Sequence, residues 1–154
     1  MKIFFFLTVL LSVIVVATGC KKDEPTLTGK WNMSFTITST FTGTLTLNQD
    51  KDDKLTGNFK FSDGSGIMTL LSSSRIYGNT VTMEMMIDVY RMVYDGTINS
   101  DFTSMNGEFY SDGLYVGPWS ATKTGSNKRE LIGTYPSASS DKERLIRILS
   151  EIEH

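Results

Sequence analysis

Between Trp31 and Thr38 the chain alternates strictly. Trp31, Met33, Phe35 and Ile37 are apolar, and Asn32, Ser34, Thr36 and Thr38 between them are polar. Successive side chains of a β-strand point to opposite faces, so this run buries one face and wets the other only as a strand. The same period returns in Phe41, Gly43, Leu45, Leu47 and in Leu55, Gly57, Phe59, Phe61. It returns again in Val81, Met83, Met85, Ile87, in Tyr90, Met92, Tyr94, Gly96, Ile98, in Met105, Gly107, Phe109, and in Tyr115, Gly117, Trp119, Ala121. A fourth strand is predicted from about Ile67 to Ile76, with a bend or bulge at its weak middle, Ser72-Ser73-Ser74. Short polar turns separate the runs: Asp50 to Asp53, Ser62 to Gly66, Gly78-Asn79, Asn99 to Asp101, and Ser111 to Gly113. Eight strands joined by short turns make sequential neighbours antiparallel. The expected fold is therefore all-β, an eight-stranded antiparallel up-and-down barrel, with an open sandwich as the rival. Glycines on the inward phase, as in Phe41-Thr42-Gly43-Thr44-Leu45, Leu55-Thr56-Gly57-Asn58-Phe59 and Met105-Asn106-Gly107-Glu108-Phe109, favour a tightly coiled, closed sheet.

The tail changes period. Ser140-Asp141-Lys142-Glu143 fits a capping box, and Leu145, Ile148, Leu149 and Ile152 follow at helical spacing with Ile146 beside them. This predicts an amphipathic helix from about Asp141 to Glu153. Its stripe must cover its own barrel, meet a protein partner or lie on lipid. Thr124 to Glu130 reads as a polar loop, and Leu131 to Tyr135 could add a strand or lie on the barrel.

The N-terminus has a third character. After Met1-Lys2, residues Ile3 to Ala17 are apolar except for Thr8 and Ser12. That run is shorter than the ~20 residues of a spanning helix and has the form of a secretory signal. Ala17-Thr18-Gly19-Cys20, which contains the single cysteine of the chain, resembles the lipobox of bacterial lipoproteins. The resemblance implies cleavage before Cys20 and acylation of its thiol and new amine, palmitate included. It makes membrane lipid a partner and implies a lipid-anchored protein of the bacterial cell envelope, at the outer membrane, on either face. It also accounts for a solitary exported cysteine that has no disulfide partner. The expected organisation is a lipoprotein signal peptide over 1–19, a lipid-anchored tether over 20–27, a β-barrel over 28–123, and a linker and helix over 124–154. Lys21 to Thr26 extends at most ~20 Å, which keeps the domain near the lipid surface.

Leu27-Thr28-Gly29-Lys30-Trp31 resembles the G-x-W opening strand of the calycin barrels, the group that includes lipocalins and avidins. That resemblance implies that Trp31 closes one end of the barrel, beneath a basic side chain from the last strand, here Lys123. Together with Gly117-Pro118-Trp119 and the N-terminal cysteine, the chain looks like a bacterial lipocalin-like lipoprotein. Avidins carry a ligand-binding Asn two positions after the first Trp and several further binding-site Trp residues. This chain has Met33 at that position and only Trp31 and Trp119, so the resemblance implies no avidin chemistry.

Catalytic chemistry has few candidates. His154 is the sole histidine and stands last, and Cys20 is assigned to lipid, so neither a histidine triad nor a cysteine nucleophile is expected. No Cys/His spacing suits zinc. Asp50-Lys51-Asp52-Asp53 lacks the full EF-hand pattern and reads as a hairpin turn. Gly64-Ser65-Gly66 is too short for a phosphate loop. Glu84 and Glu108 fall on outward phases, away from any pocket. With 15 Lys and Arg against 17 Asp and Glu and no basic stripe, the chain is not expected to bind nucleic acid. A non-enzymatic protein without metal or cofactor is expected.

The inward phase is rich in methionine: Met33, Met83, Met85, Met92 and Met105, joined by Met68. Methionine adapts to irregular apolar surfaces. Small barrels either fill their interior or keep room for one small ligand. The candidate lumen set is Trp31, Met33, Phe35, Met83, Met85, Met92, Met105 and Trp119. It supports a small apolar ligand or a plain packed core. The alternative function is a surface protein that binds or inhibits a macromolecule through its loops or C-terminal helix.

Cys20→Ala should abolish labelling by palmitate and move the protein out of the detergent phase. Retained label in that variant would contradict acylation at Cys20.

Overall fold

The computed structural model describes residues 25–125 and 140–152. The signal segment, Cys20 and the Leu131 to Tyr135 segment lie outside the described residues. Nine strands and one helix follow in chain order: β1 Gly29–Thr36, β2 Thr40–Gln49, β3 Leu55–Phe61, β4 Ile67–Thr69, β5 Arg75–Tyr77, β6 Thr80–Ile87, β7 Tyr90–Ile98, β8 Ser104–Ser111, β9 Leu114–Lys123 and α1 Asp141–Ile152. The strands form one antiparallel sheet in the order β4-β3-β2-β1-β9-β8-β7-β6-β5. Every sequential pair except β4 and β5 is hydrogen-bonded, and β1 also pairs with β9 (Trp31 opposite Lys123, Phe35 opposite Trp119). The sheet curls so that the alternating apolar residues of all nine strands meet in a single core.

Nine strands replace the expected eight because the fourth is broken. Around Ser72–Ser74 the chain turns, with the Ser74 N–H donating to the Leu71 carbonyl at 3.0 Å. The Ser74 hydroxyl accepts from the Glu84 N–H at 2.9 Å. Serine side chains that bond backbone groups compete with a regular ladder, and here the competition wins. The two halves still join the ends of the sheet. Leu70 bridges Met85, and Arg75 bridges Lys54. The Leu71 N–H donates to the Glu84 carbonyl at 2.7 Å, the Leu55 N–H to the Ser74 carbonyl at 2.9 Å, and the Ile76 N–H to the Asp53 carbonyl at 2.9 Å. The sheet is therefore barrel-like, and this seam satisfies backbone groups that an open edge would expose.

Register defines two ends. The β2–β3, β5–β6 and β7–β8 turns lie at the end where the chain enters through Leu27 and Thr28, here called the N-terminal end. The β1–β2, β3–β4, β6–β7 and β8–β9 turns lie at the other. Helix α1 sits at that second end. The Ser140 hydroxyl accepts from the Glu143 N–H at 3.2 Å, an N-cap. Asp63 accepts from the Asp141 N–H at 2.7 Å, and Ser65 from the Lys142 N–H at 3.1 Å. The β3–β4 hairpin thus meets N–H groups that a helix start leaves without intrahelical partners. The Arg144 guanidinium lies 4.7 Å from the Phe41 ring centroid. Leu145, Ile148 and Leu149 are buried in the common core, so the apolar stripe of α1 covers its own barrel.

Glu84 departs from the simple outward reading. Its phase on β6 is outward, yet it is only 9% exposed. At the seam its carboxylate accepts from Arg91 Nε at 2.9 Å and pairs with the same guanidinium through Nη2. Burial alone pushes its pKa up, but hydrogen bonds from Arg91 and Ser73 and the charges of Arg91 and Arg75 hold it below the ordinary 4.5. A depressed carboxyl pKa adds stability above the unfolded value, and that stability is lost as pH falls through the folded value. Glu84→Gln should therefore lower stability at neutral pH and flatten the acid unfolding curve below about pH 4.5. Parallel acid curves for variant and wild type would show that the pair contributes nothing to the seam.

Candidate functional site

The candidate site is the inward face of the sheet, built layer by layer from cross-strand neighbours. At the N-terminal end Trp31 is fully buried. Its indole N–H donates to the Leu27 carbonyl at 2.9 Å, which satisfies its one polar atom. Lys123 stands directly opposite in register, with Nζ 5.4 Å from the indole centroid, and donates to the Thr26 carbonyl at 2.8 Å. A cation over an indole face is attracted by the ring quadrupole. Trp31 and Lys123 therefore meet as the G-x-W resemblance implies.

Above this plug lies Met33, between Gly43 on β2 and Ala121 on β9. Small neighbours on both sides leave its long side chain room. Met105 faces Ala121 and Ile98. In the middle, Phe35 is the hub of an aromatic cluster. Its ring centroid is 5.3 Å from that of Phe41, 5.8 Å from Phe59, 5.7 Å from Tyr94 and 5.2 Å from Phe109. Trp119 meets Tyr94 edge-on at 6.1 Å, and its indole N–H donates to the Asp95 carbonyl at 3.0 Å. Gly96 makes room for that ring, because a Cβ there would lie 2.7 Å from an indole carbon. Met83 pairs across with Tyr94, Met85 with Met92, and Met92 with Ser111. All eight predicted lumen residues are thus buried and share one core, together with Met68.

The sequence-based set missed the aromatic partners of Phe35 and two polar groups. Tyr94 is fully buried, and burial pushes its phenol pKa far up, so it stays neutral. Its hydroxyl meets the Met92 sulfur at 3.6 Å, a weak acceptor. Ser111 is 4% exposed, and its hydroxyl has no hydrogen-bond partner among the described residues. Leaving such a group unsatisfied costs about 1–3 kcal/mol. The period-two run Met105, Gly107, Phe109 points to Ser111 as the next inward position. Its place before Asp112-Gly113 made it read as a turn residue instead.

Elsewhere the polar candidates have structural roles. Asp50 accepts from the backbone N–H groups of Asp52 and Lys54 at 2.8 and 3.0 Å and forms the hairpin turn. Among the described residues no three His, Cys, Asp or Glu side chains come together as a metal site. Besides the buried tyrosines Tyr90 and Tyr94, the buried polar or charged side chains among them are Ser74 and Glu84 at the seam, and Ser111 inside. The interior is thus apolar, with the neutral hydroxyls of Tyr94 and Ser111 on its lining.

No protein-family model matches the chain, and no curated protein matches it. Among solved structures it is similar to a redesigned β-barrel, mFAP1, bound to DFHBI, at 14% identity and TM-score 0.49, covering 63% of this chain and 94% of that one. It is also similar to a de novo designed fluorescence-activating β-barrel, at 17% identity and TM-score 0.46, covering 62% of this chain and 92% of that one.

Trp31→Ala should lower stability in urea unfolding by about 3–5 kcal/mol, the usual cost of truncating a fully buried Trp. A loss below about 1 kcal/mol would place the ring outside the energetic core.

Proposed function

We propose that this chain is a lipid-anchored, non-enzymatic lipoprotein of the bacterial outer membrane, whose lipocalin-like barrel binds a small apolar ligand. The observation that carries the reading is the composition of the interior. Of the eight methionines in the chain, Met33, Met68, Met83, Met85, Met92 and Met105 are buried in the single core. Thioether side chains have several rotatable bonds and repack around a guest with little strain, which branched Leu or Ile would not. Trp31 lies across one end and α1 across the other, so a guest would be screened from water on all sides. The lipobox-like Ala17 to Cys20 supports the anchor. The short chain from Cys20 to Pro25 would hold the N-terminal end toward lipid and α1 away from it.

One observation favours the second reading, a surface that binds a macromolecule. Met86 and Val89 on the β6–β7 hairpin and Leu114 and Tyr115 on the β8–β9 hairpin are exposed. These hairpins are neighbours, since the Asp112 N–H donates to the Arg91 carbonyl at 3.0 Å. The buried stripe of α1, by contrast, is already covered by its own barrel.

Titration with Nile red separates these readings. The first predicts saturable one-site binding, weakened by Met83→Phe and Met105→Phe as the larger rings take up space. If the wild type binds no dye and both variants only lose about 1–3 kcal/mol of stability through overpacking, the interior is a packed core.

A further inference from the structure

Two hydroxyls stand inside the helix end of an otherwise apolar interior. Ser111 closes the ladder of β8, opposite Met92 on β7 and Leu114 on β9. Its position is fixed by a two-residue turn whose central residues, Asp112 and Gly113, have φ of 48° and 88°. Paired positive φ values are those of the hairpin turn that matches strand twist. The Asp112 N–H is tied in turn to the Arg91 carbonyl. Ser111 therefore has its Cβ directed inward, where the residue is 4% exposed. Tyr94 is held by stacking on Phe109 at 5.1 Å, with the rings 14° from parallel. Its hydroxyl reaches the Met92 sulfur, and Met92 stands directly opposite Ser111 in register, so Met92 links the two hydroxyl-bearing residues.

Neither hydroxyl has a good partner. Ser111 has none among the described residues, and Tyr94 has only a thioether. A buried phenol and a buried alcohol in this condition are pre-set donors for an oxygen acceptor that arrives with a ligand. The surroundings also disfavour a charged acceptor. No Lys, Arg or His belongs to the buried set. Arg144, at the same end of the barrel, keeps its Nε buried without a partner among the described residues, but its charge is neutralised by the Asp141 carboxylate at 2.8 Å, so it adds no net positive charge to the interior. A carboxylate brought to the patch would lie beside uncompensated apolar walls, which is costly.

We propose that Ser111 and Tyr94 are the polar recognition point of the interior and bind the carbonyl or hydroxyl oxygen of a neutral, otherwise apolar ligand. The hydrocarbon part then lies against the methionine and aromatic wall, and the Tyr94 proton turns from the sulfur to the stronger oxygen acceptor. This rests on the reading that the interior takes up a small apolar molecule.

The test uses three matched probes on the full mature chain: acetylnaphthalene, a neutral ketone; ethylnaphthalene, the same shape without oxygen; and naphthoate, the carboxylate. The wild type should bind the ketone about tenfold more tightly than the hydrocarbon, the value of one good hydrogen bond. The double variant Ser111→Ala, Tyr94→Phe should lose that preference and bind ketone and hydrocarbon with equal affinity. Both substitutions are smaller or isosteric, and melting curves confirm that the variant is folded. Equal wild-type affinity for ketone and hydrocarbon would overturn the recognition point and leave apolar binding standing. Tightest binding of naphthoate would overturn the neutral ligand class. A ketone preference that survives the double variant would overturn the assignment to these residues. Binding of none of the three would overturn apolar binding in the interior, and this inference with it.

Discussion

The hydrogen bonds across the Leu70–Ile76 seam decide what the sheet can be. Leu71 to Glu84, Leu55 to Ser74 and Ile76 to Asp53 are single backbone bonds, but they join the two ends of a nine-stranded ladder. Without them β4 and β5 would be open edges, and the apolar face of the sheet would be wet along that line. The ion pair of Glu84 and Arg91 lies on the same seam, and Ser74 bonds the backbone of Glu84. An interrupted strand thus closes the fold through side chains as well as the ladder. The interior exists as a separate environment because this line holds.

Much of this architecture was legible in the sequence, for a local reason. Period-two alternation states which side chains share a face, and polar turns state where the chain reverses. The inward, buried phase of the eight positions from Trp31 to Trp119 follows from that pattern alone, and so does α1 from its capping Ser140 and stripe. What the pattern could not supply is nonlocal. Ser72–Ser74 marked a weak strand, but the break depends on Ser74 meeting Glu84, ten residues away on another strand. Glu84 has an outward phase, and only the returning chain buries it. The seat of α1 depends on Asp63 and Ser65, far upstream. Ser111 obeys two patterns at once, as the last inward residue and the first turn residue, and composition favours the turn.

The interior has two chemical regions. Around Phe35 the rings are in mutual contact, and their geometry gives rigidity. Around Met83, Met85 and Met92 the side chains are long and unbranched, and the two hydroxyls of Tyr94 and Ser111 adjoin them. A protein selected only for a stable core gains nothing from an unsatisfied serine beside flexible thioethers. The proposed site for an apolar molecule bearing one oxygen would use both. Trp31 and Lys123 pack together at the opposite end of the barrel, next to the segment that leads to Cys20.

Native mass spectrometry tests the account most directly. The purified protein, kept in mild detergent and incubated with total membrane lipid extract, should show a species heavier than the polypeptide by one small organic molecule. Collisional activation should remove that molecule intact. A spectrum that holds only the polypeptide mass would contradict a ligand-binding interior and leave a packed core.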